Sequence, residues 1–189
     1  MISLDGPTLL PGRPPFTVED LLTFPDDGNR YELFDGSLLI SPLPTVRHQA
    51  AISGAMRVLY DASPPDLEPL MTVNVRASER DCYIPDLVVV PAEAISSVEL
   101  MLSPGHVRLI GEVVAATTQG RDRALKVLAY AAAGIPLYWR IEPDEGPTLY
   151  VYELDGDTYG PPMAYHAGTT VTLTAPYLLS FDPADFIDP

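Results

Sequence analysis

The chain has 189 residues, enough for one domain of roughly 150 residues with additions rather than for two independent cores. Its 26 acidic and 11 basic residues give a net charge of −15, which taken alone argues against a nucleic-acid partner, because Lys and Arg drive that association by displacing counterions. Cys82 is the only cysteine, so an intramolecular disulfide is excluded, and no Cys/His cluster has zinc spacing.

From the N-terminus, Met1 to Pro15 lacks a basic start followed by an apolar run, so it does not read as a signal peptide. No apolar stretch approaches the roughly 20 residues of a membrane span, and a soluble, cytoplasmic protein is expected. Pro7, Pro11, Pro14 and Pro15 make residues 1–15 an extended arm, with a single domain expected over 16–189. Thr17 can cap a short helix with Glu19 and Asp20 in its first turn, ended by Pro25. The segment RYELFDGSLLIS reads as a hairpin turning at Asp35-Gly36. Pro44 and Thr45 open a helix to about Ala62, in which Ala51, Ile52, Ala55, Val58 and Leu59 recur at helical spacing, and Pro64-Pro65 ends it.

Strands are expected at Met71 to Ala77, Tyr83 to Val90 and Val107 to Val114. The last two are nearly continuous apolar runs of the kind buried on both faces. Arg121 to Ala133 reads as a helix closed by Gly134, with Pro136 beyond. A strand at Leu137 to Ile141 and a meander from Thr148 to Thr174 follow. The fold class is therefore mixed α/β, a central sheet flanked by helices.

Two carboxylates interrupt the apolar runs. Asp86 heads Leu87-Val88-Val89-Val90, and Glu112 sits between Gly111 and Val113. A buried carboxylate must be paired, hydrogen-bonded or bound to a cation, or else neutralise itself. If the two strands are neighbours, these acids converge. Glu32, in the hairpin, is a third candidate. Lys126 is the only lysine, the other ten bases being arginine. Unlike arginine, a lysine near carboxylates can orient or activate a water. The segment from Arg108 to Arg140 carries five bases and two acids, a local +3 within a chain whose remainder sums to −18. Arg121 and Arg123, just before Lys126, are placed to hold phosphates at a helix start.

The stretches FTVEDLL, RYELFDGSLLISPLPTVRHQ, YIPDLVVV and LIGEVVAATTQGRDRALKVLAYAAAGIPLYWRIEP, in that order, resemble the Uma-type family of restriction-endonuclease-like proteins, long catalogued as a domain of unknown function. The resemblance runs from about Phe16 to Tyr152. It implies the restriction-endonuclease-like core and a PD-(D/E)XK-type site, with an N-terminal hairpin and a C-terminal β meander appended. Pro85-Asp86 matches the family's aspartate, Glu112 its second acid, Glu32 its hairpin glutamate and Lys126 a lysine on the following helix. The strict E-x-K spacing fails, because Val114 stands two residues after Glu112. The family's Ser-Pro-Ser/Thr appears as Ala115-Ala116-Thr117-Thr118.

The implied chemistry is hydrolysis of DNA phosphodiester bonds assisted by Mg²⁺ or Mn²⁺, held by Asp86, Glu112 and the Val113 backbone carbonyl, with Lys126 positioning a water. Carboxylates brought so close repel, so at least one raised pKa is expected. Fold analogy adds a homodimer through the C-terminal meander. Two other readings compete. One is a nuclease fold kept as a binding or regulatory module without hydrolysis, favoured by the −15 charge and Val114. The other is a two-carboxylate hydrolase such as a glycosidase, for which an aromatic content of 8% is a poor match. His48 reads as a surface or capping residue, Tyr138-Trp139 as packing, and Cys82 as unreactive.

Overall fold

The computed structural model describes residues 10–41, 44–114, 121–144 and 146–187, without the side chains of residues 121–123. Thr17 caps helix α1 (Val18–Leu21) in a reciprocal capping box with Asp20. The helix ends well before Pro25. Strands β1 (Arg30–Phe34) and β2 (Ser37–Ser41) form the expected hairpin. Its turn residues lie in the left-handed region, with φ of 46° at Asp35 and 73° at Gly36, which suits the strand twist. A Cβ on Gly36 would also meet the Pro15 side chain at 2.6 Å, so glycine is required there twice over. Helix α2 (Val46–Ala62) starts as expected, the Thr45 hydroxyl accepting the His48 N–H.

Two expected strands are each divided between sheets. The run from Met71 to Ala77 is broken at Thr72, whose φ is 53°, giving β3 (Leu67–Met71) and β4 (Asn74–Arg76). The run from Tyr83 to Val90 becomes β5 (Cys82–Tyr83) and β6 (Leu87–Pro91). Pro85 lies in the break, where it has no N–H to give a ladder. The remaining elements are α3 (Ala92–Ser97), β7 (Met101–Leu102), β8 (Leu109–Val113), α4 (Arg121–Ala132), β9 (Leu137–Glu142), β10 (Thr148–Asp155), β11 (Thr158–Tyr159), β12 (Met163–His166), β13 (Val171–Leu173) and β14 (Leu179–Phe181), with 3₁₀ turns at Pro104–His106 and Pro183–Phe186.

The central sheet runs β11-β10-β9-β8-β6-β3, with β12 also pairing β10. Its β8–β9 pair is parallel, with α4 between the two strands in sequence; the other pairs are antiparallel. A second sheet runs β2-β1-β5-β4-β7. The C-terminal meander continues the central sheet only as far as β12. β13 and β14 pair with each other and pack with α2 in one apolar cluster.

Side-chain alternation sorts the central strands into two cores. Leu87, Val89, Leu109, Trp139 and Ile141 pack with Ala51, Ile52, Ala55, Met56 and Leu59 of α2. Val88, Val90, Ile110 and Tyr138 pack with Tyr130 of α4. The sheet is thus covered on both faces, as its apolar runs require. At its margin, β3 pairs with β6 and places Pro69 opposite Val89. No helix among the described residues is long and apolar enough to cross a membrane.

Candidate active site

Register brings the acids together. The β6–β8 ladder ends at Leu87 opposite Gly111, so the next step sets Asp86 against Glu112. Beyond that end the Val113 N–H finds no strand partner and donates instead to Asp86 Oδ2 at 2.8 Å. Because the N–H and C=O of one extended residue point to the same edge, the Val113 carbonyl faces this side too. Glu32 arrives from β1 in the other sheet, and Lys126 and Tyr130 from α4. Glu32, Asp86, Glu112 and Lys126 are 0%, 2%, 6% and 9% exposed, so all four are buried.

Each acid has named donors. Asp86 Oδ1 takes Arg30 Nη1 at 3.0 Å, and Oδ2 takes His48 Nε2 at 3.3 Å beside the Val113 N–H. Arg30 also donates to the Ile84 carbonyl. Glu32 Oε1 accepts the Ile84 N–H at 2.9 Å, while its Oε2 accepts the Ser41 hydroxyl at 3.4 Å and lies 3.5 Å from Lys126 Nζ. Lys126 Nζ is 2.8 Å from Glu112 Oε1, to which the Tyr130 hydroxyl also donates. Lys126 is therefore the link between Glu32 and Glu112.

The environment splits the acids. Burial works to raise Asp86, but the His48 bond, the Arg30 charge and the Val113 amide outweigh it and hold the carboxyl below its ordinary range. Burial pushes Glu112 up to about 7, with Asp86 and Glu32 adding repulsion against the pull of Lys126. This is the raised pKa expected of crowded carboxylates. For Lys126, burial favours the neutral amine, yet Glu112 and Glu32 overcome it and hold the group protonated. Lys126 is accordingly a proton-bearing cation and not a free base.

The model of the Uma2 family, described as a putative restriction endonuclease, matches residues 18–183. The chain belongs to the Uma2 family. A solved structure, described as a putative nuclease belonging to DUF820 from Anabaena variabilis ATCC 29413, aligns with a TM-score of 0.71 at 18% identity, covering 91% of this chain and 97% of that one. At that identity the likeness shows a shared fold. No curated protein matches the chain.

For this Uma2 chain, Asp86, Glu112, Glu32 and Lys126 fall in one cluster. Val114 proves immaterial to the geometry, because Lys126 reaches Glu112 from the helix. The side chains of Arg121 and Arg123, and all of Ala115 to Thr118, lie outside the described residues, as does most of the arm. Sequence reasoning missed Arg30 and Tyr130 and set His48 aside as a surface or capping residue. His48 does have a capped backbone, but its ring, 12% exposed, turns in to Asp86. Tyr138 and Trp139 are core residues, and burial pushes the Cys82 thiol up to about 11, consistent with an unreactive cysteine.

The donor set suits a hard divalent cation. Once Glu112 ionises, three carboxylates face the two fixed charges of Arg30 and Lys126, an excess of negative charge that a cation would balance. No three acidic or histidine side chains among the described residues form a preformed cage, since Lys126 stands between Glu32 and Glu112 and Arg30 holds Asp86.

Proposed function

We propose that this Uma2 protein is a metal-dependent endonuclease that hydrolyses phosphodiester bonds in DNA through Asp86, Glu112 and Lys126, with Glu32 in support. The observation that carries this reading is the meeting of Lys126 Nζ with Glu112 Oε1 at 2.8 Å at the strand end where Asp86 stands opposite Glu112. It supplies the lysine that the spacing at Val114 withholds.

Asp86, Glu112 and the Val113 carbonyl would hold Mg²⁺ or Mn²⁺. When bound, such an ion polarises a phosphoryl oxygen and lowers the pKa of a bound water. Lys126, kept protonated by Glu112 and Glu32, donates to the attacking water or to the oxygen on which charge develops, so it orients and stabilises. Glu32 holds Lys126 as a second carboxylate and is itself fixed by the Ile84 N–H. Tyr130 aims the Glu112 carboxylate by donating to the oxygen that Lys126 also contacts. Arg121 and Arg123 are proposed to hold flanking phosphates.

The test is cleavage of supercoiled and single-stranded DNA with Mg²⁺ or Mn²⁺ by wild type, Asp86→Ala and Lys126→Ala. Metal-dependent nicking in wild type, reduced about 100-fold or more in both variants, is expected. Absence of nicking across metals, or nicking that survives both substitutions, favours the non-catalytic binding module instead.

A further inference from the structure

Resting on that reading, we infer that Arg30 is a resident cation on Asp86 which yields Oδ1 when the divalent ion binds, so that this guanidinium sets the protein's metal affinity.

The argument starts from the lone pairs of one carboxylate. An ionised carboxylate offers about four acceptor positions, two on each oxygen. On Asp86, Oδ2 is filled by the Val113 N–H at 2.8 Å and His48 Nε2 at 3.3 Å. The Val113 amide belongs to β8 and cannot leave without breaking the sheet, and the His48 backbone is tied into the cap of α2. Oδ1 takes Arg30 Nη1 at 3.0 Å. This is the oxygen at which an incoming ion finds room, and it is the one that carries a positive charge already.

Arg30 is built to compete. Guanidinium does not deprotonate in proteins, so it cannot make way by losing its charge. It is anchored at a second point by the Ile84 carbonyl, two residues before Asp86, and so grips the chain break between β5 and β6 at both ends. Its side chain keeps 24% exposure while that of Asp86 keeps 3%, so the arginine is the more open member of the pair. Like charges sharing one oxygen repel several-fold more strongly in such partly buried surroundings than in water.

A merely structural arginine predicts the opposite sign. If Arg30 served only to hold Asp86 in place, its removal would loosen a ligand and weaken metal binding. Competition predicts that removal strengthens it.

Mn²⁺ binding without nucleic acid, followed by the electron paramagnetic resonance signal of the free ion, separates the two for wild type, Arg30→Gln and Asp86→Asn. Affinity is expected to rise about 10-fold in Arg30→Gln and to fall at least as far in Asp86→Asn. Unchanged or weaker binding in Arg30→Gln, with Asp86→Asn still weakened, overturns the inference and leaves the nuclease reading standing. Wild-type binding that Asp86→Asn does not alter removes the metal site itself, and with it both readings. If Arg30→Gln does not fold, solvent exchange of the Arg30 guanidinium protons in wild type decides. Faster exchange at saturating Mg²⁺ is expected, and exchange that Mg²⁺ leaves unchanged overturns the inference.

Discussion

On the α2 side of the central sheet, Leu87, Val89, Leu109, Trp139 and Ile141 meet Ala51, Ile52, Ala55 and Leu59 in an apolar cluster. On the α4 side, the same strands present Glu112 and Arg140 as register partners, and tyrosines share the packing with aliphatic side chains. Tyr83, Tyr130, Tyr138 and Tyr152 follow one another with ring centroids 5.2, 5.3 and 5.2 Å apart. Tyrosine serves there because its ring packs like any apolar group while its hydroxyl reaches a polar partner. Tyr130 donates to Glu112, and Tyr152 accepts from Arg140 at 2.6 Å. Strand alternation thus lets one sheet hold the fold on one face and an expensive set of buried charges on the other. The second face is stable only while its charges stay paired.

Substitutions on the two faces sharpen this contrast. Trp139→Ala empties the largest fully buried side chain of the α2 face, and urea unfolding is expected to show a loss of about 3–5 kcal/mol, with Mn²⁺ affinity of the folded fraction kept. A smaller loss would mean that the α2 face is not where stability resides.

On the α4 face, Lys126→Met leaves Glu112 and Glu32 without their shared counter-charge, at a cost of about 3 kcal/mol at neutral pH. The pH dependence has a definite sign. A carboxyl whose folded pKa is raised holds its stability at low pH and loses it as pH climbs through the folded value, so this variant is weaker at pH 8 than at pH 6. Adding Glu112→Gln should recover much of the loss while the protein stays inactive. Equal stability of Lys126→Met and wild type would show that the pairing does not matter.

A further contrast is read in alkali. Burial pushes Tyr177 up to about 12 and raises Tyr83, Tyr130, Tyr138 and Tyr159 as well. Because unfolded tyrosine ionises near pH 10, folding stability is full below that pH and falls as pH rises toward and beyond 12. Tyrosinate absorbance and circular dichroism are expected to change together there. Absorbance that rises first, with the fold intact, would mean that the tyrosine packing is open to water.

How much of this was legible depended on whether a residue's type announced its surroundings. Asp86 and Glu112 stood out because an acid inside an apolar run is anomalous, and Lys126 because it was the only lysine. Arg30 gave no such signal. It is one of ten arginines, and its partner Asp86 lies 56 residues away, in a pairing that only the approach of β1 to the β5–β6 break creates. Tyr130 looked like an ordinary helix aromatic, and the capping role read for His48 accounted for its backbone and left its ring unexplained. The division of Met71 to Ala77 was hidden because Thr72 adopts φ 53° without being glycine, so no turn residue marked it. The division after Tyr83 had a marker in Pro85, masked by the apolar run that follows.

Pro69 bears on what the sheet does not do. The Asp66 carbonyl faces β6, where it accepts the Ala92 N–H, so alternation turns residues 67, 69 and 71 outward. The missing N–H of Pro69 therefore falls on the outer rim of β3. A strand from another copy, laid along Leu67–Met71, would find a gap in the middle of its ladder. A single pyrrolidine ring thus interrupts the margin along which a second copy would have to add.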